Sequence, residues 1–94
     1  MPCFNKASVI AAPVLPAKWT TQVMENLKAI LREAGTDLNH VVKASIFLRD
    51  MHDYAKVNKV YAGYFTAPYP ARETIQVVAL PMFVNIEISV IASV

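Results

Sequence analysis

The chain has 94 residues, of which 55% are apolar and 17% charged, and this length predicts one small domain, residues 1–94. The net charge is +2, and the basic residues are too dispersed to form a nucleic-acid surface. Cys3 is the only cysteine, which excludes an intrachain disulfide among these residues. Residues 74–85 form a long uncharged stretch, but they are too few for a membrane helix. We therefore expect a cytoplasmic protein without a signal peptide, a membrane segment or a nucleic-acid partner.

The beginning of the chain predicts a short strand followed by a long amphipathic helix. Residues 7–12 are apolar enough for a strand, and Pro13 and Pro16 then force an extended or turning path. Residues 17–34 follow the i, i+3, i+4, i+7 spacing of a helix. Gly35 comes directly after the last periodic residue, where a left-handed cap costs little. The apolar face of this helix comprises Val23, Met24, Leu27, Ile30, Leu31 and Ala34.

A strand and a second helix are predicted next. Residues 41–49 alternate in the manner of a strand, and Asp50 is suited to cap the helix that follows. Pro68 and Pro70 end this helix. The predicted core face of the strand comprises Val42, Ala44, Ile46 and Leu48, and the apolar stripe of the helix comprises Met51, Tyr54, Val57, Val60, Tyr61 and Tyr64.

Two alternating strands, residues 72–80 and 84–92, are predicted to close the chain around a turn at residues 81–83. The resulting order favours an α+β fold in which two helices cover one face of a small mixed sheet. Phe47, Val78 and Ile91 would lie on the other face, which monomers seldom expose as a patch, so we expect burial against other subunits. One face of the first strand comprises Arg72, Thr74, Gln76 and Val78, and one face of the second comprises Val84, Ile86, Ile88, Val90 and Ala92.

Arg72 is the first candidate for a functional residue. It follows Pro70 and Ala71 at the mouth of a predicted strand, where a side chain can face a cleft. A guanidinium presents a planar fork of donors that matches a carboxylate bidentately. The alternative is a solvated arginine at a strand end, or an ion pair with Glu73, and spacing alone leaves both interpretations open.

Other polar residues carry weaker signals. Glu87 lies between two isoleucines and could activate a water as general base, or be an exposed acid or an interface ion pair. Asn58 lies on the second helix, where most asparagines are solvated, and Tyr69 either walls a pocket or packs. His40 and His52 are in different elements without metal-ligand spacing, so we predict no metal or other cofactor.

Segments spread over residues 22–92 resemble one family in their order and spacing. The most specific are Tyr69-Pro70-Ala71-Arg72, Ala79-Leu80-Pro81 and Ile86-Glu87-Ile88. They follow Asn26-Leu27-Lys28-Ala29-Ile30-Leu31, Val41-Val42-Lys43-Ala44, Asp50-Met51-His52-Asp53-Tyr54, Val57-Asn58-Lys59-Val60-Tyr61 and Tyr64-Phe65. Together they resemble the Rid/YjgF family, which hydrolyses reactive enamines and imines.

The resemblance implies a chorismate-mutase-like α+β fold and a homotrimer with active sites in clefts between adjacent subunits. The cleft arginine of the family falls on Arg72, its active-site glutamate on Glu87, and the asparagine of its second helix on Asn58. Thr74 stands where some members have cysteine, and with Tyr69 it completes the predicted substrate-binding set. Residues 1–16 are shorter than the usual N-terminal segment and lack its hairpin, its Ser-Gly-Gln motif and an upstream tyrosine.

The function implied by the resemblance is hydrolytic deamination of 2-enamino and 2-imino acids to 2-keto acids and ammonia. Arg72 would bind the substrate carboxylate and Glu87 would assist the water. The short N-terminal segment leaves open a non-catalytic or regulatory protein that binds small carboxylates. An endoribonuclease or translation inhibitor, which is another label attached to this family, has little support without a basic patch or a platform of stacking aromatics.

Overall fold

The structure, a computed structural model, describes residues 4–11 and 16–93, so that Cys3 and Pro13 lie outside the described residues. Four strands and two helices follow one another in the order strand, helix, strand, helix, strand, strand, with single 3-10 turns at residues 38–40, 51–53 and 81–83. The elements are β1 (Phe4–Ala11), α1 (Pro16–Glu33), β2 (Val41–Leu48), α2 (Tyr54–Ala62), β3 (Ala71–Gln76) and β4 (Ile86–Ser93).

The strands form one mixed sheet in the order β1-β4-β2-β3. β4 lies antiparallel between β1 and β2, whereas β2 and β3 are parallel. A parallel pair needs a long crossover, and α2 provides it between β2 and β3. The predicted small mixed sheet with two helices is therefore confirmed. Neither helix in the described part of the chain is long and apolar enough to span a membrane.

The core lies between α1 and one face of the sheet. The predicted alternation of β4 is confirmed, because Ile86, Ile88 and Val90 are fully buried. The predicted cap of α1 is confirmed as well, since Gly35 has φ +82°. Other buried residues of this core include Trp19, Val23, Met24, Leu27, Leu31, Ala44, Ile46 and Leu48.

Three details of the strands differ from the sequence prediction. Val41 pairs with Ala92 and Lys43 with Ile91, so that Val42 is an extra residue between two consecutive residues of β4. Val41 therefore enters the core, whereas Val42, which was predicted to be buried, is 45% exposed. The first strand begins at Phe4 and is longer than predicted. β3 ends at Gln76 and not at residue 80 as predicted. The alternating pattern of the sequence continues beyond the strand into a loop, in which Val78 is 97% exposed.

Candidate functional site

β3 places Arg72 beneath the second helix. Arg72 lies opposite Ala44 of β2, a core residue, and therefore faces the side of the sheet that carries the helices. Glu73 points the other way, where it accepts a hydrogen bond of 2.8 Å from Ser45 and lies 3.7 Å from the Lys43 ammonium. The alternative pairing of Arg72 with Glu73 is therefore wrong, since adjacent strand residues face opposite sides of the sheet.

Three residues of α2 hold the Arg72 guanidinium. Nη1 donates a hydrogen bond to Asn58 Oδ1, and Nη2 donates one of 2.8 Å to the Tyr54 hydroxyl. The guanidinium carbon lies 5.7 Å from the ring centre of Tyr54 and 5.2 Å from that of Tyr61, within the range of cation–π attraction. Tyr54, Asn58 and Tyr61 occupy positions i, i+4 and i+7, which lie on one helix face. We call these three residues the arginine cradle.

The cradle leaves the donor capacity of Arg72 partly unused. A guanidinium has five N–H groups, and the cradle accepts from two of them. No carboxylate of residues 16–93 whose side chain is described forms an ion pair with Arg72. An exposed guanidinium that is fixed in direction and keeps free donors is suited to bind an anion.

Cavities lie on two sides of Arg72. One has a volume of about 450 Å³ and is lined by Arg72 and Asn58 together with Tyr61, Ala62, Phe65, Tyr69 and Pro70. The other, of about 390 Å³, is lined by Arg72 together with Met51, Tyr54 and Thr74. Both volumes lie in the range of about 300–1,000 Å³ that is usual for small-molecule pockets.

Two hydroxyl groups beside Arg72 are buried without a hydrogen-bond partner in the described part of the chain, those of Thr74 and Tyr61. Burial raises the pKa of Tyr61 above its ordinary value of 10, although the positive charge of Arg72 acts in the opposite direction. Tyr61 is therefore neutral at physiological pH. An unsatisfied buried hydroxyl costs about 1–3 kcal/mol, which a ligand atom that reached it would offset.

Glu87 does not lie with the other candidate residues within one chain. It is opposite Phe47 on β2, and both residues are half-buried on the sheet face away from the helices. Arg72 and Thr74 lie on the helix face, as do Asn58 and its neighbours on α2. The structure thus brings Arg72, Asn58, Thr74 and Tyr69 around adjoining cavities, and it leaves Glu87 on the opposite face of the sheet.

Sequence reasoning missed the contacts of Tyr54 and Tyr61 with Arg72, because it assigned both tyrosines to an apolar stripe. Their spacing of three and four from Asn58 was the available signal, because it places all three residues on one helix face. The histidines bind nearby carboxylates, His40 that of Asp37 and His52 that of Asp50. Among the described residues there is no group of three or more potential metal ligands.

Known proteins similar to this chain agree with the resemblance. A family model described as Endoribonuclease L-PSP matches residues 3–94. Protein DfrA of Myxococcus xanthus is 55% identical over 71 residues, which cover 76% of this chain and 54% of that protein. The 2-iminobutanoate/2-iminopropanoate deaminase of Mus musculus is 46% identical over 71 residues, covering 76% of this chain and 53% of that protein.

Similar solved structures include the YjgF gene product of E. coli, with a TM-score of 0.88 and 34% identity over 96% of this chain and 80% of that one. The yeast protein Mmf1 has a TM-score of 0.90 and 36% identity, covering 96% of this chain and 78% of that one. The chain spans little more than half the length of the first two curated relatives, 54% and 58%. With nearly its whole length matched by the family model, the chain belongs to the Rid/YjgF family.

Proposed function

We propose that the protein hydrolyses small 2-imino and 2-enamino acids to 2-keto acids and ammonia, with Arg72 as the carboxylate anchor. The observation that carries this proposal is the cradle, in which Asn58 and Tyr54 fix the direction of an exposed guanidinium that has no ion-pair partner. The similarity to the mouse deaminase supports the same reaction class. Arg72 lines both cavities, so a carboxylate bound to it would bring the adjoining carbon close to both of them.

The reaction depends more on the orientation of the substrate than on a strong acid or base. An enamine first tautomerises to the imine, whose protonated C=N carbon is already electrophilic. Water adds to this carbon and gives a proton to a base, which forms a tetrahedral carbinolamine. The amino group takes that proton from the base and leaves as ammonia, and the hydroxyl group gives its proton to the base as the carbon–oxygen double bond forms. Arg72 contributes by holding the substrate and by balancing the charge of its carboxylate.

Glu87 is the proposed base, contributed by a neighbouring subunit. Its carboxylate lies on the outer face of the sheet, where Phe47 and Ile91 are only half-buried. Val78, Met82 and Phe83 are mostly exposed, which favours a further apolar interface near the end of β3. We propose a homotrimer that joins these surfaces. Light scattering at micromolar concentration tests it, and a monomeric mass would exclude it.

The test of the reaction is ammonia and pyruvate release from freshly generated 2-aminoacrylate. We expect Arg72→Ala to lose most of the rate above the spontaneous background. Arg32→Ala is the matched control, because Arg32 is an exposed arginine near the end of α1 and lines a different cavity. Equal rates for the wild type and Arg72→Ala would refute the proposal, and so would equal losses in the two variants.

A second candidate function is a non-catalytic protein that binds small carboxylates. It is favoured by the position of Glu87 on the opposite face from Arg72, since one chain then has an anchor without its base. Calorimetry with 2-ketobutyrate separates the two functions. Binding that depends on Arg72, in a protein that releases no ammonia above the background, would support the second function.

A further inference from the structure

The cavity of about 450 Å³ has a polar end and an apolar end. Arg72 and Asn58 form the polar end. Phe65, Tyr69 and Pro70 form most of the apolar end, and Ala62 of α2 also lines the cavity. This division matches a ligand that has a carboxylate at one end and an apolar group at the other.

The apolar end contains one buried aromatic ring and one exposed aromatic ring. Phe65 is buried, and its ring centre lies 4.8 Å from that of Tyr61 at an angle of 43°. Tyr69 is 69% exposed, so most of its surface is free of contacts within the chain. Aromatic rings gain energy from stacked or edge-to-face contacts beyond the burial of area. A ligand side chain that entered here would contact Phe65 on one side and Tyr69 on another.

We infer that this cavity receives the substrate side chain, and that the preferred substrates are imino acids with an aromatic or branched apolar side chain. The inference rests on the proposed function for the role of Arg72 as carboxylate anchor. Phe65, Tyr69 and Ala62 are then the residues that determine specificity. The methyl group of an imine derived from alanine would cover little of the apolar end, whereas a benzyl group would bury far more apolar surface there.

The inference is tested with unreactive 2-keto acids, which share the carboxylate and the side chain of the substrates but need no turnover. Calorimetry compares 3-phenylpyruvate with pyruvate, and we expect at least about tenfold tighter binding of phenylpyruvate. Ala62→Leu adds three carbons to the apolar end and should reduce this preference to about twofold or less.

The matched control is Ala55→Leu, which makes the same change at another exposed alanine of α2 that lines neither cavity beside Arg72. It should keep the preference of the wild type, because leucine is a good helix former at both positions. Tyr69→Ala provides a second variant at an exposed position, and it should also lower the preference. A wild type that binds both acids equally, or an Ala62→Leu variant that behaves like Ala55→Leu, would overturn the inference.

Turnover distinguishes this inference from the proposed function. Ammonia release from imines that amino-acid oxidation generates from phenylalanine and alanine is measured in parallel. Ammonia release without any preference between the two side chains would refute the inferred side-chain specificity but would agree with the proposed deaminase activity. A clear preference for phenylpyruvate in binding, without ammonia release, would support the inferred role of the cavity and refute the proposed deaminase activity.

Discussion

Tyr54→Phe isolates the contribution of one hydrogen bond to the arginine cradle. The change deletes the oxygen that accepts from Arg72 Nη2 at 2.8 Å. It keeps the ring, whose centre lies 5.7 Å from the guanidinium carbon, and it leaves the hydrogen bond to Asn58 and the contact with Tyr61 in place. The guanidinium therefore keeps its charge and its position and loses one of the two acceptors that fix its direction.

The magnitude follows from the exposure of the two partners. A hydrogen bond to a charged group contributes about 1.5–3 kcal/mol when well placed. Arg72 is exposed and Tyr54 half-buried, so water competes for both groups and the contribution falls to about 0.5–1.5 kcal/mol. A carboxylate that requires the same orientation should therefore bind roughly two- to tenfold more weakly, since about 1.4 kcal/mol corresponds to a factor of ten.

The assay is calorimetric titration of 2-ketobutyrate into the wild type and the variant. Tyr64→Phe is the control, because it also removes one phenolic oxygen, but one that donates to Glu25 instead of accepting from Arg72. Circular dichroism confirms that both variants are folded. The argument is refuted if Tyr54→Phe binds as tightly as the wild type, or if Tyr64→Phe weakens binding by the same factor.

Three further predictions concern the core, the contact of Tyr64 with α1 and the Thr74 hydroxyl. Leu27→Ala should lower the free energy of unfolding by about 2–5 kcal/mol in urea titrations, because Leu27 is fully buried. The Tyr64 hydrogen bond lowers the pKa of Glu25 below 4.5, so its stabilisation is present above that pH and is lost as the pH falls through the lowered pKa; Tyr64→Phe should make the thermal midpoint less sensitive to acid. Thr74→Val should leave that midpoint unchanged or raised, yet weaken binding of 2-ketobutyrate in calorimetry, since the Thr74 hydroxyl has no partner in the described structure.

Periodicity identified the elements whose burial is one-sided. The helical spacing that includes Val23 and Leu27 predicted α1 to within about one residue at each end, because its apolar face packs on the sheet. The alternation of Ile86 and Ile88 predicted β4 in the same way, since β4 is an inner strand that is covered on one face by α1.

The local pattern failed where pairing is decided by distant residues. Val42 continued the alternation of its strand, but the register with β4 inserts an extra residue there and turns its side chain outward. The extent of the first strand depends on β4, because Phe4 pairs with Ser93, almost the whole chain away. β3 is an edge strand with mostly exposed residues, so its alternation had no core to define its end.

The candidate site was predictable as a set of residues but not as an arrangement. The motif around Arg72 marked the residue that we propose as the anchor, and Asn58 was placed on the helix that contacts it. The hydrogen bond from Arg72 to Tyr54 could not be predicted, because it depends on how α2 crosses the parallel pair of β2 and β3. The separation of Glu87 from Arg72 follows from a register that alternation in one strand does not reveal.

The positions of Arg72 and Glu87 on opposite sheet faces make the proposed reaction depend on assembly. If each site of a trimer combines Arg72 from one subunit with Glu87 from the next, Arg72→Ala and Glu87→Gln proteins should each be inactive alone. Random mixing of equal amounts gives each site roughly one chance in four of holding both native residues, so subunit exchange should restore about a quarter of the wild-type rate. Each variant exchanged only with itself is the control, and native mass spectrometry verifies that mixed trimers form. Mixed trimers without restored ammonia release would show that the two residues do not serve a shared site, because only a site built from two subunits can recover activity from two inactive chains.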